Sequence, residues 1–309
     1  RGLDQHEKYM HRCLFLASRA RGRTGMNPMV GSVIVHKGKI IGEGYHREYG
    51  SDHAEVNAIN SVKDKNLLKK STLYVNLEPC SHYGKTPPCS ELITHYQIPE
   101  VVIGTVDPNP LVSGRGITHL RNHAVKITCP VLEKECHHLN RRFFTNIRKQ
   151  RPYVILKWAQ SRDGFIDKER RESDPAGPNW ITDHTARILV HKWRSEEAGI
   201  IAGTNTILTD NPGLDVRYWP GKNPVRIIPD LHNRLQKELK VLDGSTETLV
   251  ITPDRSNVDG LTTYIRADKD FDLTALLELL LVNEVHSLIV EGGTRLISSF
   301  LDGNLWDEA

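Results

Sequence analysis

The sequence has no apolar run long enough to cross a bilayer as a helix. Its longest apolar stretches, such as Leu276–Val282, are core-sized and still carry Glu278, and the mean hydropathy is −0.43. The first residues, Arg1-Gly2-Leu3-Asp4-Gln5, contain no signal-peptide core, which points to the cytoplasm. The missing initiator Met leaves room for a removed upstream segment. Charge of one sign is scarce: 41 Lys and Arg face 38 Asp and Glu, for a net +3. No broad basic field therefore marks a nonspecific nucleic-acid binder. Aromatic residues amount to 6%, too few to suggest a base-stacking groove. The five cysteines are odd in number, in a chain long enough to fold on its own core. That disfavours a disulfide scaffold and leaves metal or catalytic use. There is no G-x-G-x-x-G fingerprint, no internal repeat and no low-complexity tract.

What is present reads as two α/β units, the number that 309 residues suggest. Apolar residues at Met10, Cys13, Leu14, Leu16 and Ala17 predict an amphipathic helix over Glu7–Ala20. A strand Val30–Val35, a hairpin turn at Lys37-Gly38-Lys39 and a strand Ile40–Tyr45 follow. His53–Ser61 reads as a short helix and Leu73–Leu77 as a strand. A helix starts near Pro88, and Val101–Gly104 is a buried strand. Around Asn140–Pro152 the composition shifts to a basic connecting region with Arg141, Arg142, Arg148, Lys149 and Arg151. Beyond it the pattern restarts. Strands are expected at Tyr153–Lys157, Gly199–Ala202, Val225–Pro229, Thr248–Thr252 and Ser287–Val290. Helices are expected at Asp183–Ser195, Leu273–Val282 and Thr294–Leu301.

Three pieces of the first half carry chemistry: His53-Ala54-Glu55, Glu78-Pro79-Cys80 and Thr86-Pro87-Pro88-Cys89. An H-x-E pair alone says little in a chain with 15 histidines. The combination is specific. His53, Cys80 and Cys89 offer one nitrogen and two thiolates, a three-ligand zinc set with its fourth position open. Thiolates at helix starts are favoured electrostatically. Glu55, two residues from His53, is the candidate acid/base of a zinc nucleobase deaminase. A four-ligand structural zinc site that recruits His82, or two buried free thiols, are the competing readings. Cys13 and Cys129 read as ordinary buried thiols, and Cys136-His137-His138 as a surface feature.

The long stretch Pro79-Cys80-Ser81-His82-Tyr83-Gly84-Lys85-Thr86-Pro87-Pro88-Cys89 resembles the bifunctional riboflavin-biosynthesis deaminase/reductases. So do Asn27-Pro28-Met29-Val30-Gly31, Gly42-Glu43-Gly44-Tyr45-His46, Asp107-Pro108-Asn109-Pro110 and Gly114-Arg115-Gly116. The resemblance covers essentially the whole chain and is most specific in the first 116 residues. It implies an α/β protein with an N-terminal cytidine-deaminase-like three-layer domain (residues 1–148). A C-terminal dihydrofolate-reductase-like domain (149–309) would follow. The implied substrate is a small molecule, a phosphoribosylaminopyrimidine; nucleic acid and membranes are not implied. The implied cofactors are one Zn2+ per chain and NADPH, and the implied assembly is a homo-oligomer, dimer or tetramer. Asn27, His46 and Lys85 match positions that line the family's deaminase pocket.

In the second half the matching pieces include Leu156-Lys157, Trp180-Ile181-Thr182, Gly203-Thr204-Asn205-Thr206, Asp210-Asn211-Pro212 and Val290-Glu291-Gly292-Gly293. The resemblance assigns the nucleotide to Ala159, Trp180, Thr206, Asp210, Leu231 and the run Gly293, Thr294, Arg295, Leu296, Ile297, Ser298, Ser299. It assigns the reductase substrate to Lys157, Pro178, Arg194, Leu214, Arg217 and Glu291. The chain departs from the family at Ala159, where Gly is usual, at Gln160-Ser161-Arg162, at Pro178, where Ser is frequent, and at Leu231. It also stops at Ala309, where family members continue with further strands, so a longer natural chain is expected. The alternative is a zinc nucleobase or nucleoside deaminase carrying an inactive reductase-like domain.

Overall fold

The computed structural model describes residues 5–83, 87–110, 112–168, 177, 179–268 and 271–309. The chain divides into two compact units, Arg1–Lys149 and Gln150–Ala309.

The first unit runs α1 (Gln5–Ser18), β1 (Gly31–His36), β2 (Lys39–Tyr45), α2 (Ala54–Ser61), β3 (Thr72–Val75), α3 (Cys89–His95), β4 (Glu100–Ile103), α4 (Arg115–Asn122), β5 (Lys126–Thr128), α5 (Glu133–Leu139) and α6 (Arg141–Lys149). Its five-stranded sheet has the order β2-β1-β3-β4-β5. β1 is antiparallel to β2 and β3, whereas β3, β4 and β5 are parallel. Alternation along each strand divides its side chains between two cores. Val33, Val35, Tyr74 and Val102 pack with Tyr9, Met10, Cys13 and Leu16 of α1. Their neighbours Ile34, Leu73, Val75, Val101 and Ile103 pack on the other side, with Ala58, Ile59, Ile93, Ile117 and Leu120 from α2, α3 and α4. The sheet is thus covered on both faces, which explains the continuous apolar runs of its strands.

The second unit runs β6 (Tyr153–Lys157), α7 (His184–Glu196), β7 (Gly199–Ile201), α8 (Thr204–Asp210), β8 (Val225–Pro229), β9 (Thr248–Thr252), β10 (Asn257–Asp259), β11 (Thr262–Arg266), α9 (Leu273–Val282), β12 (Ser287–Glu291) and α10 (Thr294–Asp302). Seven strands line up as β10-β11-β9-β8-β7-β12-β6, all parallel except β10 against β11. One face buries Leu276, Leu277 and Leu280 of α9 with Ile297 and Phe300 of α10. The other buries Ile200, Ile228 and Ile289 with Ile207, Leu214 and Val241. Asp307 and Glu308 run beside β6. Arg151 forks onto Asp307 at 2.6 and 3.0 Å, and the Leu156 amide donates to the Glu308 carbonyl at 2.8 Å.

Three sequence expectations need correction. The basic connecting region is largely a helix, α6, whose buried residues are Phe144, Thr145 and Asn146. Its apolar stripe is too thin to stand out among the arginines. Cys136 is not at the surface: it is fully buried beside Cys13, Met10 and Val102. His137, next to it, stacks on Phe144 with ring centres 4.1 Å apart and meets the Thr105 hydroxyl at 2.9 Å. Cys129 is only half-buried.

Candidate active sites

In the first unit a polar frame aligns the loops at the carboxyl end of the central strand β3. Asn76, fully buried, accepts from the Gly31 amide at 2.7 Å and donates to the Met29 carbonyl at 3.0 Å. Asn140 grips the same Met29 amide and carbonyl at 2.8 and 2.9 Å. Between them they fix the Asn27–Val30 segment. Glu78, just past β3, is buried and accepts three backbone N–H bonds: from Asp107 at 3.2 Å, Gly114 at 2.9 Å and Ile117 at 3.2 Å. It thereby caps α4, whose N-cap is Gly114 and offers no side chain. Gly116 is required by close approach, since a Cβ there would sit 2.1 Å from the Pro79 carbonyl oxygen.

On this frame His53, the N-cap of α2, meets Cys80 and Cys89, the latter being the first residue of α3. His53 Nδ1 lies 3.6 Å from Cys80 Sγ and 3.3 Å from Cys89 Sγ, and the Cys89 amide donates to Cys80 Sγ at 3.2 Å. All three donor atoms fall within 4.8 Å of one another. Among the described residues this is the one such group of three or more His, Cys, Asp or Glu. His82 is exposed and lies outside it, so the four-ligand reading gains no support. Cys89 is buried, Cys80 half-buried and His53 exposed, which leaves one side open to a ligand.

Crowding redistributes protons here. Hydrogen bonds from Cys89, opposed by burial and helped by His53, pull the Cys80 thiol down to about 4. The hydrogen bond to Cys80 lifts His53 to about 9 against burial. The Cys80 contact and burial push Cys89 up. A cation bound between two sulfurs and a nitrogen replaces these protons, so the donor set fits a soft divalent metal such as zinc. Glu55, one residue into α2, is buried, and burial lifts its carboxyl to about 7 beside Cys80, His53 and Cys89. His46 is buried and stands edge-on to His53, ring centres 5.9 Å apart. It accepts from the Asn27 amide at 3.3 Å through Nε2 and donates to the Asp52 carbonyl at 3.2 Å through Nδ1. The structure thus gathers His53, Glu55, Cys80, Cys89, His46 and Asn27. Lys85 lies outside the described residues.

The second unit holds a cavity of about 480 Å³ at the carboxyl ends of β6, β7 and β12, the customary ligand position on an open parallel sheet. Of the sequence candidates, Lys157, Ala159, Trp180, Arg194, Thr206, Asp210, Leu214, Arg217, Glu291, Gly293 and Thr294 line it. Gly292, with φ +125°, makes the turn from β12 into α10. The first turn of α10 therefore presents free backbone amides suited to a phosphate. The Gly293 amide is held by Thr206 Oγ1 at 2.9 Å.

Other candidates fall elsewhere. Leu231 is exposed beyond β8 and is not on the wall. Arg295, Leu296, Ile297, Ser298 and Ser299 continue α10 away from the cavity, and Ile297 is a core residue. Pro178 lies outside the described residues.

Glu291 is buried, and Arg194 forks onto it, Nε at 2.9 Å and Nη2 at 2.7 Å. Burial pushes the Glu291 carboxyl up, but the Arg194 charge and hydrogen bonds outweigh it and hold it below the usual range. Arg194 Nη1 donates to the Asp215 carbonyl at 3.0 Å, so the fork expected to face a ligand is engaged by the protein itself. Lys157 Nζ stands 3.9 Å from Glu291. Arg217 is half-exposed and pairs with Asp215 at 3.0 Å.

Sequence reading missed His191 and Arg187 on this wall. Arg187, Val190, His191 and Arg194 fall at i, i+3, i+4 and i+7 of α7, one helical face. That period was the signal available.

Comparison with known proteins follows the same division. The family model "Cytidine and deoxycytidylate deaminase zinc-binding region" matches residues 3–105, and "RibD C-terminal domain" matches 152–309. The chain is 41% identical to the riboflavin biosynthesis protein RibD of Aquifex aeolicus, covering 97% of this chain and 84% of that one. It is 35% identical to the RibD of Escherichia coli, covering 98% and 86%. A crystal structure of a diaminohydroxyphosphoribosylaminopyrimidine deaminase/5-amino-6-(5-phosphoribosylamino)uracil reductase from Thermotoga maritima superposes with a TM-score of 0.88 at 39% identity, covering 97% and 84%. Acinetobacter baumannii RibD superposes with a TM-score of 0.86 at 33% identity, covering 98% and 85%.

Proposed function

The chain belongs to the RibD family of riboflavin-biosynthesis proteins, and on that footing we propose that it runs two successive reactions on one small molecule. The first unit hydrolyses the 2-amino group of 2,5-diamino-6-(5-phosphoribosylamino)pyrimidin-4(3H)-one. The second reduces the ribosyl group of the product to ribityl at the expense of NADPH. The observation that carries the reading is the pairing of a His53–Cys80–Cys89 donor set with buried Glu55 in one unit and a separate ligand-sized cavity in the other. The reading with an inactive second domain is not favoured, because the RibD C-terminal family model spans that whole unit and the cavity is formed.

In the deaminase unit His53, Cys80 and Cys89 hold one zinc per chain. Bound there, the metal supplies the Lewis acidity that makes a water nucleophilic at neutral pH. Glu55 would take a proton from the attacking water and return one to the departing amine, so that the C–N bond breaks and ammonia leaves. Its support is its burial beside Cys89. Asn27 and His46 orient the pyrimidine, with Lys85 toward the phosphate.

In the reductase unit NADPH supplies the hydride. Trp180, Thr206, Asp210 and the amides at the start of α10 bind the nucleotide. Lys157, Leu214 and Arg217 face the substrate, whereas Arg194 serves by holding Glu291. The charged pair lets a carboxylate sit against the substrate without titrating.

The cysteines are all free, and two are proposed thiolate ligands, which suits the reducing cytoplasm; no helix among the described residues is long and apolar enough to cross a membrane. Leu189 and Trp193, exposed one turn apart on α7, support a homo-oligomer, dimer or tetramer, which light scattering tests. The test of function is incubation with the diaminopyrimidine substrate and NADPH. Ammonia release followed by loss of nicotinamide absorbance is expected. Neither signal from zinc-replete protein would overturn the reading.

A further inference from the structure

The wall of the second cavity contains a histidine that the proposed chemistry does not use. His191 lies at mid-length in α7 and is 4% exposed. Its Nδ1 accepts the backbone N–H of Arg217 at 3.1 Å. The ring is packed edge-on by Tyr218, centres 4.8 Å apart. One turn further along the same helix, Arg194 donates to the carbonyl of Asp215 at 3.0 Å. Two side chains of α7 therefore hold the two consecutive peptide groups of the Asp215–Arg217 segment. That segment needs holding. Just upstream, Asn211 and Leu214 stand in the left-handed region at φ 44° and 47°, a strained conformation for a buried leucine.

From this geometry we infer that His191 is a positioning residue for the reductase: as a neutral imidazole it clamps the Arg217 backbone and so aims the Arg217 guanidinium into the cavity. The bond requires a bare Nδ1, hence the tautomer with its proton on Nε2. An imidazolium has no acceptor, so protonation releases the clamp. The charged and titratable groups around the ring are Arg194 on its own helix, Asp215, Arg217 and Tyr218 on the clamped segment, and Glu291 on β12. Burial first, then the two arginines, favour the neutral form, against Asp215 and Glu291. The clamp is therefore closed at neutral pH and opens as pH falls through a value below the ordinary range for histidine.

The inference rests on Arg217 facing the substrate, and the experiment separates the two. Steady-state kinetics with the deaminated substrate, 5-amino-6-(5-phosphoribosylamino)uracil, are measured in the zinc-loaded full chain from pH 5 to 8. Wild type is compared with His191→Asn, His191→Phe and Arg217→Gln. NADPH binding followed by nicotinamide fluorescence reports that each variant's cavity is intact. Asn places an oxygen near the Nδ1 position and does not titrate. His191→Asn is expected to keep the neutral-pH KM within about twofold, and His191→Phe to raise it about five- to tenfold, the effect of one lost hydrogen bond. NADPH affinity and kcat should change little. Toward pH 5 the wild-type KM should rise above that of His191→Asn. Because the substrate phosphate titrates near pH 6 in both, only the difference between the two profiles reports His191. Coincident profiles, or an unchanged KM in His191→Phe alongside a raised KM in Arg217→Gln, would overturn the clamp and leave Arg217 in place. An unchanged KM in Arg217→Gln would overturn both.

Discussion

The two units solve the problem of building a site in opposite ways. In the first, the chemistry is gathered from short, rigid pieces. His53, Glu55, Cys80 and Cys89 stand at or beside the starts of two helices, within 37 residues of sequence. A single ion needs only a few atoms within 4.8 Å of each other, and few backbone arrangements provide them, so the residues leave a compact trace in sequence. In the second, a dinucleotide and a phosphosugar need a long wall. Lys157, His191, Thr206, Leu214 and Glu291 come from five separate segments spread over 135 residues. No short stretch contains the site. The lesson is that compactness of a ligand, more than strength of a function, decides how visible a site is in sequence.

The contrast can be broken most severely at Cys89. Cys89→Ser should abolish both zinc content and ammonia release while leaving reduction of the deaminated substrate intact; metal analysis beside the two assays checks it. A variant that lost both activities would mean the units are not functionally separable. Glu55→Gln is expected to keep zinc and lower deamination about 10²–10⁴-fold, the usual range for a positioned acid/base group. Again the reductase should be untouched, and near-normal ammonia release would assign the protons to another group.

Arg194→Met sharpens the comparison from the other side. It strands a buried Glu291, which typically costs about 3–5 kcal/mol, and should lower the denaturation midpoint of the second unit without affecting deamination. The sign of the pH effect follows from the wild-type pair. The folded Glu291 carboxyl is held below its ordinary value. Its contribution is therefore complete above the unfolded value of about 4.3 and disappears as pH falls through the lower folded value. Arg194→Met should lose that acid-side slope, and a denaturant series at pH 3–7 shows whether it does. The smallest effect is expected at Arg217→Lys. Replacing a fork by a point charge should raise the reductase KM a few-fold while leaving NADPH binding and deamination unchanged.

Legibility followed the same line as the sites. Long strands such as Thr248–Thr252 and the helix Leu273–Val282 were readable residue for residue, because apolar period and length agree there. The elements β5, α8 and α6 were not, since their few apolar side chains are interrupted by polar and charged ones and carry no clear period. Cys136 was misjudged because a thiol between charged and imidazole neighbours looks exposed, although its helix turns it inward together with Leu139. The donor set of the first site was plain in the sequence. The engagement of Arg194 by Glu291 and the role of His191 were not, since both depend on which strand end faces which helix.

Glu78 shows why the first site's compact trace is deceptive. Its carboxylate ties the segment just before Cys80 to amides at Asp107, Gly114 and Ile117, while Gly116 leaves room for the Pro79 carbonyl. The motif is portable on paper but not in space. Grafted onto another scaffold as residues 53–89 alone, it would bring its ligands without the brace that sets their spacing. Gly116, 27 residues beyond the ligand Cys89 and on a different helix, thereby inherits the metal site's intolerance of change.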